Sequence, residues 1–259
     1  MKQTHPPALL TLVARSLRGE CAALRGKRVL VAMSGGVDSQ VLLHALAWHR
    51  KTFDLDLVAH GVDHGLRPEA ASELDLAAAL AESLAVPFGR SAVVVAAGAN
   101  VQARARDARF ASLAQAAASC GATFLATAHH ADDRAETLLI RLLRGAGPRG
   151  LAVLPAIDGD RARPLLRATR AAIVAHAERH GLAFARDPSN DDPRFVRVRI
   201  RRELVPLLRT LDPRVVEHVN RLADSLGALR AAGALAGADE ARDPNETLPG
   251  DQEFVTNDE

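Results

Sequence analysis

Two stretches of this chain carry residue types whose spacing suits them for chemistry. The first is Ser34-Gly35-Gly36-Val37-Asp38-Ser39. It follows the apolar run Val29 to Met33 and leads into a helical pattern that begins at Val37. That order reads as a strand, a tight turn and a helix N-terminus. Gly35 and Gly36 permit positive φ and let an anion approach the backbone closely. The helix start adds unpaired N–H groups and the positive end of a dipole, so the turn suits an anion, most often phosphate. No Gly-Lys-Ser/Thr follows the glycines, so the Walker pattern is absent, and the neutralising cation must come from elsewhere in the chain or from a metal. A plain strand-to-helix turn capped by Asp38 or Ser39 is the alternative reading.

The second stretch is His129-His130-Ala131-Asp132-Asp133-Arg134-Ala135-Glu136-Thr137. On a helix, Asp133 and Glu136 are neighbours on one face, and His129 precedes Asp133 by one turn. Asp-x-x-Glu before an apolar run also fits a capping box. A zinc site from His129, His130 and Asp133 has no familiar spacing and lacks cysteine. Magnesium bound by one carboxylate and phosphates suits these residue types better. His60, Asp63, His64 and Arg67 form a third polar group. Arg104, Arg106 and Arg109 follow Asn100, and Arg106 and Arg109 share a helical face. They read either as a solvated face or as the cation for a triphosphate or tRNA phosphate that the glycine loop lacks. Arg194, Arg197, Arg199, Arg201 and Arg202 make a dense basic run with only Phe195 as a nearby aromatic. That composition favours phosphate contact over base stacking.

The elements that must position these residues alternate. Strands are expected at Arg28–Met33, Leu55–His60, Phe88–Val95 and Thr123–Ala128, and a fifth at Arg163–Leu166. Helices are expected over residues 5–24, Val37–Trp48, from Pro68 to about Leu84, Val101–Ser119, Asp133–Arg144 closed by Gly145, Thr169–His180 and Val215–Leu229. The alternation predicts an α/β fold with a doubly wound, mostly parallel sheet and a small helical C-terminal extension. In such sheets ligands sit beyond the carboxyl ends of the strands. The Ser34–Ser39 loop, the polar loop His60–Arg67 and the segment His129–Glu136 all fall at that edge. A nucleotide-binding domain is placed at 1–150, a helical Arg-rich extension at 151–232 and an acidic, unstructured tail at 233–259.

Composition agrees with this reading. The chain has 259 residues, 48% of them apolar, enough for a sizeable core. No apolar run is long enough to span a membrane. Met1 to Leu10 lacks a charged segment followed by a long apolar run, so no signal peptide is expected. Cys21 and Cys120 form no Cys-x-x-Cys pair, and a reducing cytoplasm is the default. The net charge of +2 hides an asymmetry. Residues 134–230 hold 19 Arg, no Lys and 11 acids, whereas residues 239–259 hold eight acids and only Arg242. The middle of the chain suits a polyanion and the tail does not.

Taken together, the motifs resemble a known family. Ser34-Gly35-Gly36-Val37-Asp38-Ser39 after a strand is similar to the signature of the PP-loop ATP-pyrophosphatases. Asp63-His64-Gly65-Leu66-Arg67, Ala105-Arg106-Asp107-Ala108-Arg109-Phe110, Thr127 to Thr137, Arg144-Gly145, Arg163-Pro164-Leu165-Leu166 and Asp187-Pro188-Ser189-Asn190 follow in order. Over roughly residues 25–210 this set resembles the tRNA(Ile)-lysidine synthetases. The resemblance implies a ligase that uses ATP and Mg2+. It adenylates the C2 oxygen of the wobble cytidine of tRNA(Ile) with a CAU anticodon, and free L-lysine then displaces AMP. It assigns ATP to Ser34, Gly35, Gly36, Val37, Asp38 and Ser39, the metal to Asp38, and catalysis to Asp38, Arg109 and Arg106. It assigns lysine to Asp133, Glu136 and His129. Arg197, Arg199, Arg201 and Arg202 are the expected tRNA contacts. Gly61 between His60 and Val62, Phe110 in place of Tyr and Val198 in place of Asn depart from the family pattern. Longer members carry C-terminal tRNA-binding domains. Here acceptor-stem recognition would fall to the core, to a partner or to a second copy in a homodimer. The weighed alternatives are a tRNA cytidine 2-thiolation enzyme, for which two separated cysteines are few, and a non-catalytic nucleotide-binding module.

Overall fold

The computed structural model describes residues 8–63, 65, 70–94, 101–185 and 195–235. His64, Arg67, Pro68, Val95, Asn100, Arg194, the Asp187–Pro193 connection and the tail from 236 onward lie outside the described residues. By contacts the chain divides into two compact units, one of residues 1–130 and 156–186 and the other of residues 131–155 and 187–259.

The first unit is built on a sheet. Its strands are β1 (Arg28–Met33), β2 (Asp56–Asp63), β3 (Phe88–Ala92), β4 (Phe124–Ala126), β5 (Ile157–Asp158) and β6 (Arg161–Ala162), in the order β3-β2-β1-β4-β6-β5. All neighbours pair in parallel except β5 and β6, which form an antiparallel hairpin. The helices are α1 (Leu9–Arg18), α2 (Val37–Phe53), α3 (Ala70–Ser83), α4 (Val101–Cys120) and, after the hairpin, the segment Arg170–Arg179. Side chains alternate across each strand, so β1 feeds two cores. Val29, Val31 and Met33 pack with α1, α2 and α3, while Leu30 packs with Phe110, Leu113 and Ala117 of α4. Apolar residues on both faces of β1 are what a doubly wound parallel sheet requires.

Two expectations change here. β2 runs on to Asp63 instead of ending at His60. A Cβ at Gly61 would lie 2.5 Å from Leu74 Cδ2, so glycine lets α3 close on the strand at this point. The turn comes later, where the Gly65 N–H donates to Asp63 Oδ1 at 2.8 Å. The expected fifth strand at Arg163–Leu166 is instead a buried turn that follows β6, with the Leu166 N–H donating to the Arg163 carbonyl at 3.1 Å. Pro164 has no N–H for a ladder, which stops the strand before it.

The second unit is helical. It comprises α5 (Ala131–Leu143), α6 (Pro148–Leu151), α8 (Val196–Arg199), α9 (Val205–Leu211) and α10 (Val215–Ala231); the first unit's Arg170–Arg179 is α7. Ala131, Ala135, Ile200, Val205 and Val216 form its main core. The buried Arg134 donates from Nε to the Val153 carbonyl at 3.0 Å and from Nη1 to Asp224 Oδ1 at 2.5 Å. The basic segment is not one α-helix, because Ile200–Leu204 widens into a π turn. Pro206 explains it: its ring clashes with the carbonyl one turn back and it offers no N–H, and a wider turn relieves both. Among the described residues no helix is long and apolar enough to cross a membrane.

In the first unit, α2 and α7 meet through histidines. His176 is 3% exposed, and its Nε2 lies 3.1 Å from His44 Nδ1. The His180 ring is 4.3 Å from that of His176, centroid to centroid. Burial, then His180, His44 and Arg179, hold the His176 imidazole down to about 4. An unfolded chain binds that proton near 6.5, so it binds more protons than the folded chain between the two values. Stability from this group is therefore present above pH 6.5 and is lost as pH falls toward 4. Thermal melts from pH 7 to 4.5 should show Tm falling with acid, and His176→Gln should flatten that fall; an identical pH profile for the variant contradicts the assignment.

Candidate active site

The glycine loop forms as its residue types dictate, with one refinement. Gly35 sits at φ +76, and a Cβ there would lie 2.2 Å from the Glu73 carbonyl oxygen of α3. Gly36 has an ordinary φ of −73, and its Cβ would meet only Ser34 Oγ at 3.6 Å. The positive φ expected of both glycines is needed at Gly35 alone. Gly36 is the N-cap of α2, and no side chain caps that helix. Ser39 Oγ instead donates to the Gly36 carbonyl at 2.9 Å and accepts from the Ser34 N–H at 3.3 Å, closing the loop on itself. The simple-cap reading of Asp38 or Ser39 is thus not what forms. Val37 turns inward and is buried. The Ala185 N–H donates to the Gly35 carbonyl at 3.0 Å and holds the loop from the other side.

Asp38 stands in the first turn of α2 with its side chain 31% exposed. Its Oδ2 accepts from Arg170 Nη1 at 3.2 Å, and its Oδ1 lies 3.7 Å from Nε2 of the buried His130. Arg170 opens α7, whose N-cap Thr169 accepts from the Ala172 N–H at 3.2 Å. The contact between Asp38 and Arg170 spans 132 residues and leaves no trace in local spacing. Only the adjacent Arg163–Leu166 motif hinted at that region. One partly exposed carboxylate beside a phosphate-shaped turn is a donor set that suits magnesium shared with phosphates. Among the described residues no group of three or more His, Cys, Asp or Glu is arranged to hold a metal ion.

Other predicted residues of the first unit lie near the same strand ends. β4 is paired beside β1, with Val31 opposite Ala126, so His129 and Ser34 both follow the carboxyl ends of adjacent strands. Thr127 Oγ1 and His129 Nδ1 are 2.9 Å apart. Arg106, Arg109 and Arg161 surround the Phe110 ring, with guanidinium carbons 5.4, 5.5 and 4.5 Å from its centroid. A phenyl face serves this cation cluster without the hydroxyl of a Tyr. Arg109 Nε is buried and meets no acceptor among the described residues. Burial lowers the Arg109 pKa, an electrostatic cost that a bound anion would offset. His60 belongs to a different environment. Its Nε2 lies 3.0 Å from Ser91 Oγ, which is 2.6 Å from Ser112 Oγ, and its imidazole fills the space a Cβ at Gly89 would take.

In the second unit the acidic pair of α5 is met by the basic run. Glu136 is 2% exposed. Arg201 donates to it twice, Nε to Oε1 at 2.7 Å and Nη2 to Oε2 at 3.0 Å. Arg197 donates from Nε to Glu136 Oε2 at 2.9 Å and from Nη2 to Asp133 Oδ1 at 2.8 Å. α5 starts at Ala131, so Asp133 lies inside its first turn and the pair is no capping box. Two carboxylates and two guanidiniums so close together compensate each other. Arg197 and Arg201 were expected to face tRNA, yet here they hold carboxylates, because a nearly buried Glu136 needs counter-charge. Arg199 is exposed and paired with Glu203 at 3.1 Å, and Arg202 is exposed. Val198 is buried, so an apolar residue suits the place usual for Asn.

Gly35→Ala tests the loop. The left-handed φ costs an alanine about 1–2 kcal/mol before the clash with Glu73 is counted. The variant should melt lower and lose pyrophosphate binding by titration calorimetry, whereas Gly36→Ala should lose far less of either; equal behaviour of the two contradicts the geometry.

The chain is similar to known proteins over most of its length. A family model described as a PP-loop domain matches residues 9–208. The tRNA(Ile)-lysidine synthase of Pseudomonas aeruginosa is 46% identical over 201 residues, covering 76% of this chain and 45% of that protein. The tRNA(Ile)-lysidine synthase of Geobacter sulfurreducens is 40% identical over 235 residues, covering 87% of this chain and 50% of that protein. The chain spans about half the length of the curated relatives it matches. Among solved structures, the U34-tRNA thiolase NcsA from Methanococcus maripaludis, determined with its [4Fe-4S] cluster, superposes with a TM-score of 0.71 at 18% identity, over 85% of this chain and 78% of that one. At that identity the likeness concerns the fold. The glycine turn after β1 and the strand order around it lie inside a match that runs from Leu9 to Leu208, and by that match the chain belongs to the PP-loop domain family.

Proposed function

We propose that this chain is the ATP-dependent, lysine-ligating part of a tRNA(Ile)-lysidine synthetase. The observation that carries the reading is the pairing of the Ser34–Ser39 loop with the exposed edge of Asp38, together with 40–46% identity to named lysidine synthases over most of the chain. In this reading ATP binds at Ser34–Ser39 with its pyrophosphate against the uncapped start of α2. The C2 oxygen of the wobble cytidine attacks the α-phosphorus and pyrophosphate leaves. The ε-amine of L-lysine then attacks C2, the C–O bond breaks and AMP departs. Activation is needed because a carbonyl oxygen is a poor leaving group and an adenylate a good one. Mg2+ held by Asp38 and the phosphates would supply positive charge to the leaving pyrophosphate.

The chain's own residues supply the rest. Arg109, with Arg106 beside it on Phe110, stabilises charge that develops on phosphate. Asp133 and Glu136 of the second unit receive the lysine. Their carboxylates are anionic and already hold guanidinium groups, so they suit an ammonium group in kind. The cytidine must leave its stack to react. Arg199 and Arg202, exposed on the second unit, contact tRNA phosphate. A tRNA-modifying enzyme of this kind works in the cytoplasm. The alternative of cytidine 2-thiolation fits the residues less well. The Cys21 thiol is buried, its pKa is raised by that burial, and it points to the Ala156 carbonyl at 3.7 Å. Cys120 points to the Ala117 carbonyl at 3.4 Å.

The direct test incubates a tRNA(Ile) CAU transcript with ATP and labelled lysine. Label should enter the tRNA, and Asp38→Asn should lower incorporation at least about a hundredfold, the scale of losing one transition-state contact; no incorporation by the folded protein refutes the reading. A second test separates the arginines. Replacing Arg199 and Arg202 with Gln should weaken tRNA binding and reduce its salt slope by about 1–2, the scale expected for two phosphate contacts. Arg201→Gln should instead lower Tm, because it leaves Glu136 half paired, at a cost of about 1–3 kcal/mol. A salt slope unchanged in the first variant removes that run from the tRNA interface.

A further inference from the structure

The glycine loop lacks the lysine that a Walker loop uses to neutralise phosphate, and the fold supplies a cation at that place. Arg170 Nη1 lies 3.2 Å from Asp38 Oδ2, one turn from the loop's glycines. The arginine is not on a wandering loop. Thr169 caps α7, and Ile173 and Ala177 of the same helix are fully buried in the sheet's core. The chain then returns to the loop at Ala185, whose N–H donates to the Gly35 carbonyl at 3.0 Å. The segment from Thr169 to Ala185 thus touches the glycine loop near both of its ends. The Arg170 side chain is 42% exposed, so its guanidinium is open to an anion from solvent. A guanidinium presents donors in a planar fork that matches phosphate oxygens.

We propose that Arg170 is the phosphate-binding cation of this loop. In the nucleotide-free protein it neutralises Asp38, and when a nucleotide binds it neutralises the pyrophosphate group. Asp38 alone would repel a phosphate at the start of α2. Arg170 balances that charge while the site is empty of nucleotide and keeps a cation ready when one arrives. Asp38 and the incoming phosphate therefore compete for one guanidinium unless Asp38 is engaged by a metal. This assignment deepens the adenylation reading above and rests on it for the identity of the nucleotide.

The competition can be measured without catalysis. Inorganic pyrophosphate, ATP and adenosine are titrated calorimetrically into the full chain, with neither tRNA nor lysine present and with magnesium either absent or in excess. Arg170→Gln should weaken pyrophosphate and ATP by about tenfold or more, the scale of one lost charge-assisted contact, and leave adenosine unchanged. Arg170→Lys should recover part of the loss, since it keeps the charge but not the fork. Without magnesium, Asp38→Asn should tighten pyrophosphate binding, because it removes the competing carboxylate and its repulsion, and this gain should shrink when Arg170→Gln is added, because only the repulsion is then left to relieve. A merely structural Arg170 would not produce that coupling. Pyrophosphate affinity unchanged in both Arg170 variants overturns the proposal, as does an Asp38→Asn gain that is undiminished without Arg170. Normal pyrophosphate binding beside absent lysine incorporation would sink the lysidine reading alone.

Discussion

The site in the first unit depends on one close approach. Between β1 and α2 the chain reverses within a few residues, and at Gly35 it passes so near the Glu73 carbonyl that no side chain fits. That contact locks α3 to the loop. The hydrogen bonds of Ser39 inside the loop and of Ala185 across it finish the shape. The result is a helix start with no side-chain cap, whose polarity is left for an outside anion. Gly61 shows the same logic one strand away, where a missing Cβ admits Leu74. Two glycines therefore bring α3 down onto the carboxyl end of the sheet.

A second constraint is charge compensation. Partly or wholly buried ions cost too much to stand alone, and several here are matched. Asp38 is matched by Arg170, with His130 close by; Arg134 by Asp224; Glu136 by Arg197 and Arg201. Those pairs join residues far apart in sequence, and they decide which arginines remain exposed. Within one run, Arg197 and Arg201 hold Asp133 and Glu136 of α5, whereas Arg199 pairs with Glu203. The π turn forced by Pro206 interrupts the regular helix through that run.

Much of the site was legible because local chemistry needs local residue types. Strand, glycine turn and helix at 29–53, the alternation of strands and helices, and the position of His129 after β4 all follow from spacing. Other features were not legible. The Asp38–Arg170 contact and the Arg197–Arg201 clamp on Glu136 have no periodicity, since tertiary packing alone brings them together. The strand expected at Arg163–Leu166 failed for a reason that was visible, Pro164, but the apolar residues around it resemble a strand whether they end in a ladder or in a buried turn.

By itself the sequence determined the order of elements, the loop that can receive a phosphate and the acidic and basic residue types available to it. These follow from backbone preference and from the three-residue and four-residue neighbourhoods of a helix, which need no knowledge of distant partners. The tertiary structure decided which charges face each other, which glycine bears the strained conformation and which histidine is held neutral. Those outcomes depend on distances between segments that are remote in the chain and on how far burial strips water from each charged group, and neither is written in local spacing.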